Sequence, residues 1–132
     1  MKTVTLKRAK KRAYEAFQKW YRRKATYKKG WVKCYTCGKP TDYENIQVGH
    51  WMTGHTATNY INIEYVRPQC STCNIVRNGE QGLFWEKIEK EIGTERFMYL
   101  RQHSKDVLIL TVPDYLELER IYLNKLKGLI WD

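Results

Sequence analysis

The hydrophobic pattern opens at helical period. Over residues 4–27, Ala13, Phe17, Trp20 and Tyr21 recur at three- and four-residue spacing, and Tyr14 and Tyr21 lie two turns apart. Neither proline nor glycine interrupts the run until Gly30, so it predicts one helix. Its aromatic stripe belongs in a core rather than stacked on bases, which leaves Lys7, Lys11 and Arg22 for solvent or phosphate. The period then shortens. Trp31–Tyr35 alternates, Gly38-Lys39-Pro40 turns the chain, and Tyr43–Val48 runs on as a short strand. Thr53–Asn59 is small and polar, a loop, and Ile61–Val66 predicts a further strand.

A helix is expected from Asn74, with a break near Gly79 and Gly82. Leu83, Phe84, Ile88 and Ile92 continue its apolar face, and Gly93 ends it as a left-handed cap. Thr94 caps a short helix through about Arg101. Val107–Leu110 fits either a strand or an extended buried connector. Thr111, Pro113 and Asp114 then start a last helix. That helix carries two apolar stripes: Tyr115, Leu118, Tyr122, Leu126 and Leu129, and beside them Leu116, Leu123 and Ile130. Either it packs across the N-terminal helix or part of it pairs with a second subunit, giving a homodimer.

Charge changes the picture. The 132 residues carry a net charge of +10, and residues 1–33 hold 13 basic side chains against the single acid Glu15. The remaining 99 residues hold 11 basic and 13 acidic side chains. Clustered Lys and Arg gain by releasing counterions condensed on phosphates, so nucleic acid is the expected partner. A solvated basic face is the plainer alternative. There is no apolar run of membrane-spanning length and no apolar signal segment, so a soluble intracellular protein of one domain is expected.

All four cysteines fall in two knuckles, Cys34-Tyr35-Thr36-Cys37 and Cys70-Ser71-Thr72-Cys73. Each CxxC turn presents two thiolates on one side of a tight loop, and two such turns close a tetrahedron around one structural Zn²⁺. Two disulfides would be sparse in a chain of this length, and redox CxxC motifs usually come singly near a βαβ pattern.

Between the knuckles stands His50, and directly after the second stands Asn74. A zinc-braced strand–turn–strand followed by a helix is the layout of a one-metal nuclease. His50 suits a general base, since an imidazole of ordinary pKa is largely neutral at pH 7. Asn74 offers an amide oxygen to a hard ion such as Mg²⁺ or Mn²⁺. The zinc itself should not be catalytic, because four thiolates leave no open position. His55 is a further ligand or phosphate contact, and His103 is incidental. Lys7, Lys11, Arg12, Arg22, Arg23, Arg67 and Arg77 are the candidate nucleic-acid contacts.

Four stretches together resemble one family: Cys34-x-x-Cys37-Gly38-Lys39, Gly49-His50-Trp51-Met52, Val66-Arg67-Pro68-Gln69-Cys70-x-x-Cys73-Asn74-Ile75 and Arg77-Asn78-Gly79. They resemble the phage NinG (Rap) recombination proteins, nucleases of the HNH or ββα-metal type that act on branched DNA. The likeness covers roughly residues 17 to 105. A similar zinc-braced layout, with Asn directly after the last cysteine, occurs in the T-even phage endonuclease that resolves Holliday junctions. The resemblance implies an α+β fold: a zinc-stabilised ββα-metal core over 31–93, an N-terminal basic helix over 1–30, and a C-terminal helical extension over 94–132.

It also implies a divalent-metal-dependent endonuclease for Holliday junctions or forks, located in the host cytoplasm if phage-encoded. His50 falls on the general base, Asn74 on the metal-ligand position, and the cysteines on the structural zinc. Many HNH enzymes place an acid before that histidine; this chain has Gly49, as the NinG-like pattern does. His50 itself, Asp42, Glu44 or His55 would then complete the ion's ligands. The central HNH asparagine is replaced by Tyr65, leaving Asn59 or Asn62 to brace the loop. Two other functions fit the same residues: a non-catalytic zinc-ribbon module that binds nucleic acid, and an interaction module that assembles through its last helix.

Overall fold

The computed structural model describes residues 3–129, so Ile130, named above, lies outside the described residues. Helix α1 spans Leu6–Lys24. It is shorter than the 4–27 pattern because Thr5 caps it, its side chain accepting from the Arg8 amide, and Ala25 closes it. Arg22, Arg23 and Lys24 in its last turn complement the helix dipole. Ala9, Ala13, Ala16, Phe17, Trp20 and Tyr21 form its buried face.

Helix α4, Val112–Lys127, lies along that face. Its start is a capping box between Thr111 and Asp114 with Pro113 in the first turn. The Tyr122 ring meets Phe17 edge-on at 5.0 Å and Trp20 at 5.1 Å. Tyr115, Leu118, Tyr122, Leu126 and Leu129 are therefore taken up by clusters built on α1. Of the second stripe, Leu116 is half-buried in the same packing and Leu123 is exposed. The α1 contact thus accounts for the first apolar stripe without a second subunit.

Two antiparallel hairpins stand between these helices and the rest. Strand β1, Trp31–Lys33, pairs with β2, Pro40–Asp42. Strand β3, Gln47–His50, pairs with β4, Val66–Gln69, in a register that sets Gly49 opposite Arg67 and His50 opposite Val66. The expected strand over 61–66 is corrected. Asn62 caps a 3₁₀ turn, Ile63–Tyr65, and the strand starts only at Val66. β4 accommodates Pro68 because its sheet has two strands, so no third strand needs that missing amide.

The helix expected from Asn74 is also corrected. Thr72–Val76 is a single π-helical turn, and Asn78, Gly79 and Glu80 all have positive φ, so α2 begins at Gln81 and runs to Ile92. Gly93 has φ 91° and ψ 155°, a positive φ but an extended ψ, so it is not a left-handed cap. It joins α2 directly to α3, Thr94–His103, in which Thr94 is the first helical residue rather than the cap. Residues 107–110 form neither a strand nor a buried connector: Val107 is 91% and Ile109 82% exposed, and only Leu110 packs inward.

The hydrophobic core has two main parts. Trp51, Tyr65, Phe84, Ile88, Phe97 and Leu100 unite the second hairpin with α2 and α3. Val48 and Val66 join the same hairpin to Phe17, Trp20 and Tyr21 of α1. The β3–β4 hairpin is therefore fixed from both sides. No helix among the described residues is long and apolar enough to cross a membrane.

Candidate functional site: a cleft beside a four-cysteine cluster

Cys34 follows β1 and Cys37 stands in a turn closed by Gly38 at φ 77°. Cys70 follows β4 and Cys73 lies in the π turn. The four sulfurs are within 4.8 Å of one another, with Cys37 and Cys70 at 3.7 Å. Tetrahedral Zn–S bonds of about 2.3 Å place sulfurs about 3.8 Å apart, whereas a disulfide needs about 2.05 Å. All four cysteines are free, so the cluster can hold a metal ion such as zinc.

Thiol electrostatics agree with the geometry. Burial raises the Cys34 thiol, but hydrogen bonds from Thr36 and from the Cys70 and Cys37 backbone outweigh it and bring it down to about 6. Burial pushes Cys73 up to about 12. Without a cation these sulfurs resist ionising together; a divalent ion supplies the missing positive charge.

Beside the cluster opens a cleft of about 510 Å³, and both His50 and Asn74 line it. His50 closes β3, and its Nε2 lies 2.9 Å from the Tyr60 carbonyl. A carbonyl only accepts, so Nε2 carries the proton and Nδ1 keeps the lone pair. Burial, reinforced by nearby His55, lowers the His50 pKa to about 4 against the supporting effect of the Tyr60 carbonyl. The His50 and His55 rings are 4.3 Å apart. His55 is itself lowered, by burial and then by the Lys10 charge.

Asn74 sits in the π turn one residue beyond Cys73. Its Nδ2 donates to Gln47 Oε1 at 2.8 Å, which turns the amide and leaves Oδ1 as the acceptor for a ligand. Across the cleft stand Tyr14, Gln18 and Arg22 of α1. Tyr14 stacks on Tyr60 with ring centroids 4.0 Å apart, and burial raises its hydroxyl well above the ordinary range.

The NinG family, described as that of the bacteriophage lambda NinG protein, matches residues 2–130. The chain belongs to this family. No curated protein and no solved structure matches it.

In this NinG-family chain the predicted site residues divide into three groups. His50, Asn74, His55 and Arg22 come together in the cleft. Other predicted residues are occupied within the fold. Arg12 makes a two-point ion pair with Glu119 at 3.0 and 2.8 Å. Arg67 is paired with Glu91 at 2.6 Å and is largely buried. Arg77 lies 3.6 Å from Glu80, and Arg23 stacks over Tyr43. Lys7 and Lys11 are exposed on α1. Asp42 accepts from Asn45 and Glu44 is exposed, and neither lines the cleft. His103 pairs with Asp106.

The loop before β4 is braced by Asn59. Its Nδ2 donates to the Ser104 and Gly54 carbonyls and its Oδ1 accepts from the Thr56 amide. Tyr65 instead donates its hydroxyl to the Leu100 carbonyl. Sequence reasoning did not single out Gln47, Tyr60, Tyr14 or Gln18. A signal existed for two of them: Tyr14, Gln18 and Arg22 follow one another at four-residue spacing, so a polar row runs beside the aromatic stripe. Gln47 and Tyr60 had none, since only the hairpin register and loop path bring them to Asn74 and His50.

Proposed function

We propose that this NinG-family protein is a divalent-metal-dependent endonuclease. It would hydrolyse phosphodiesters in branched DNA, Holliday junctions and forks, in the host cytoplasm. The observation that carries this reading is the convergence of His50 and Asn74 in one open cleft. With Nε2–H held by Tyr60, His50 directs a neutral Nδ1 that can take a proton from an attacking water. The Asn74 Oδ1, oriented by Gln47, and the neutral ring of His55 are donors that would hold Mg²⁺ or Mn²⁺. Such an ion, when bound, stabilises negative charge on the scissile phosphate and on the leaving 3′ oxygen.

The cysteine cluster is assigned to structural Zn²⁺. It ties the end of β4 and the π turn to the first hairpin, and so fixes Asn74 against β3. Lys7, Lys11 and Arg22 supply charge toward the DNA backbone. A homodimer belongs to the same proposal, since symmetric cutting of two strands needs two sites; light scattering tests it.

One observation favours a second reading, a non-catalytic zinc-braced DNA-binding module. Among the described residues no carboxylate lines the cleft. A single assay separates the two. The protein is incubated with synthetic four-way junction, fork and linear duplex, with and without Mg²⁺ or Mn²⁺. Metal-dependent nicking of the branched substrates, lost in His50→Ala, supports the nuclease. Salt-sensitive binding with no cleavage under either ion supports the module.

A further inference from the structure

Residues Lys10, Tyr14, Gln18 and Arg22 stand four apart on α1 and so form one ridge along the helix. Tyr14, Gln18 and Arg22 line the cleft. Lys10 reaches its rim: its Nζ lies 5.1 Å over the Tyr60 ring, and its charge acts on His55. At the other end, the Arg22 Nε is buried and makes no hydrogen bond. A buried guanidinium N–H without an acceptor is costly, and its planar fork matches a phosphate.

The basic residues near this ridge are not equivalent. Arg12 is held by Glu119, whereas Lys10 and Arg22 form no ion pair among the described residues. Twelve residues of helix separate Lys10 from Arg22, about 18 Å at 1.5 Å per residue. One strand carries a phosphate at every nucleotide, so this distance spans several successive phosphates of a single strand. His50 lies level with Tyr14, the ring centroids 6.1 Å apart, and hence nearer the Lys10 end.

We propose that this ridge of α1 is a strand-binding track, with Lys10 and Arg22 gripping phosphates on either side of the scissile one. Tyr14 and Gln18 form the wall between them. The track is asymmetric: the cut falls closer to the phosphate held by Lys10. The inference rests on the DNA-cleavage reading for its scissile phosphate, but the binding it describes is separable from cleavage.

The test uses Lys10→Gln and Arg22→Gln, with Lys90→Gln on α2 as control, each checked for an unchanged melting temperature. Binding to a labelled four-way junction is measured against salt without added divalent ion. Each ridge variant should weaken binding about tenfold near 100 mM salt and lower the salt slope by about one, while the control changes neither. Single neutral methylphosphonates are then scanned along one strand. Two sensitive positions a few nucleotides apart on that strand are expected, one insensitive in Lys10→Gln and the other in Arg22→Gln.

Parent-like salt slopes in both variants, or both positions remaining sensitive in both, overturn the track. Ridge-dependent binding without cleavage under Mg²⁺ or Mn²⁺ upholds the track and removes the nuclease reading. Cleavage by the parent with no effect of either substitution does the reverse.

Discussion

A Cβ placed on Gly49 would sit 2.1 Å from the Gln69 Oε1 and 2.8 Å from its Cγ. Gln69 is fully buried and cannot swing aside, because its Nε2 donates to Thr36 Oγ1 at 3.1 Å and to the Gly79 carbonyl at 2.9 Å. Thr36 belongs to the first cysteine knuckle and Gly79 to the turn before α2. The space that an acid before His50 would need is already filled by the side chain tying those two segments together.

Gly49→Ala should therefore lower stability by about 1–3 kcal/mol, as overpacking of a filled interior does. Gly49→Asp should lose more, since it also buries a charge, and should not improve metal binding. Gly49→Ala combined with Gln69→Ser should cost less than the two separate losses added together. Urea titrations of the four proteins measure this coupling.

The sulfur cluster should carry one zinc per chain, detectable by elemental analysis. Cys73→Ser should abolish that content and lower the melting temperature by about 10 °C or more, because the metal joins two knuckles that lie far apart in the chain. A chelator should act likewise on the parent protein. Full zinc content in Cys73→Ser would contradict the assignment.

His50→Ala should reduce metal-dependent cleavage by about 10²–10⁴-fold while leaving zinc content and junction binding intact. The lowered pKa of His50, to about 4 through burial, gives the pH dependence. The base is already neutral above pH 5, so cleavage should hold constant between about pH 6 and 8 rather than fall near 6.5. Between about pH 6.5 and 4 the unfolded chain binds the extra proton. His50 therefore contributes stability above that window and loses it as pH falls, by at most about 1.4 kcal/mol per pH unit. His50→Gln should flatten this part of the stability profile.

Gln47→Leu removes the acceptor that orients the Asn74 amide. Cleavage should fall about 10–100-fold, the usual effect of losing a partner of a metal ligand, with much of the loss recovered at higher Mg²⁺. A merely structural effect would not respond to the ion, so an Mg²⁺ titration of cleavage rate decides between them.

Much of the fold was legible in the chain. The amphipathic periods of α1 and α4 were visible because helices of 19 and 16 residues repeat their pattern several times. The break near Gly79 was visible because glycine marks positive φ. Strand limits were not: β3 and β4 have four residues each, and Asn62 spends the first half of the expected strand capping a 3₁₀ turn. The π turn at Asn74 escaped because its turn follows the cysteine cluster rather than a local propensity.

Local spacing by itself singled out the four cysteines as one metal-ligand set, since ligand geometry is written into short-range separations, and marked His50 and Asn74 as candidates beside them. Family membership likewise follows from the sequence, over residues 2–130. Only the tertiary structure decided which cations are committed. Arg12 and Glu119 are 107 residues apart in the chain, and Arg67 and Glu91 are 24 apart, so no local pattern foretells either pair. It also decided that Gly49 faces Gln69, that Tyr60 sets the His50 tautomer, and that Lys10 and Arg22 flank the cleft. Each of these depends on where separate segments meet, and burial and partnership exist only once they have met.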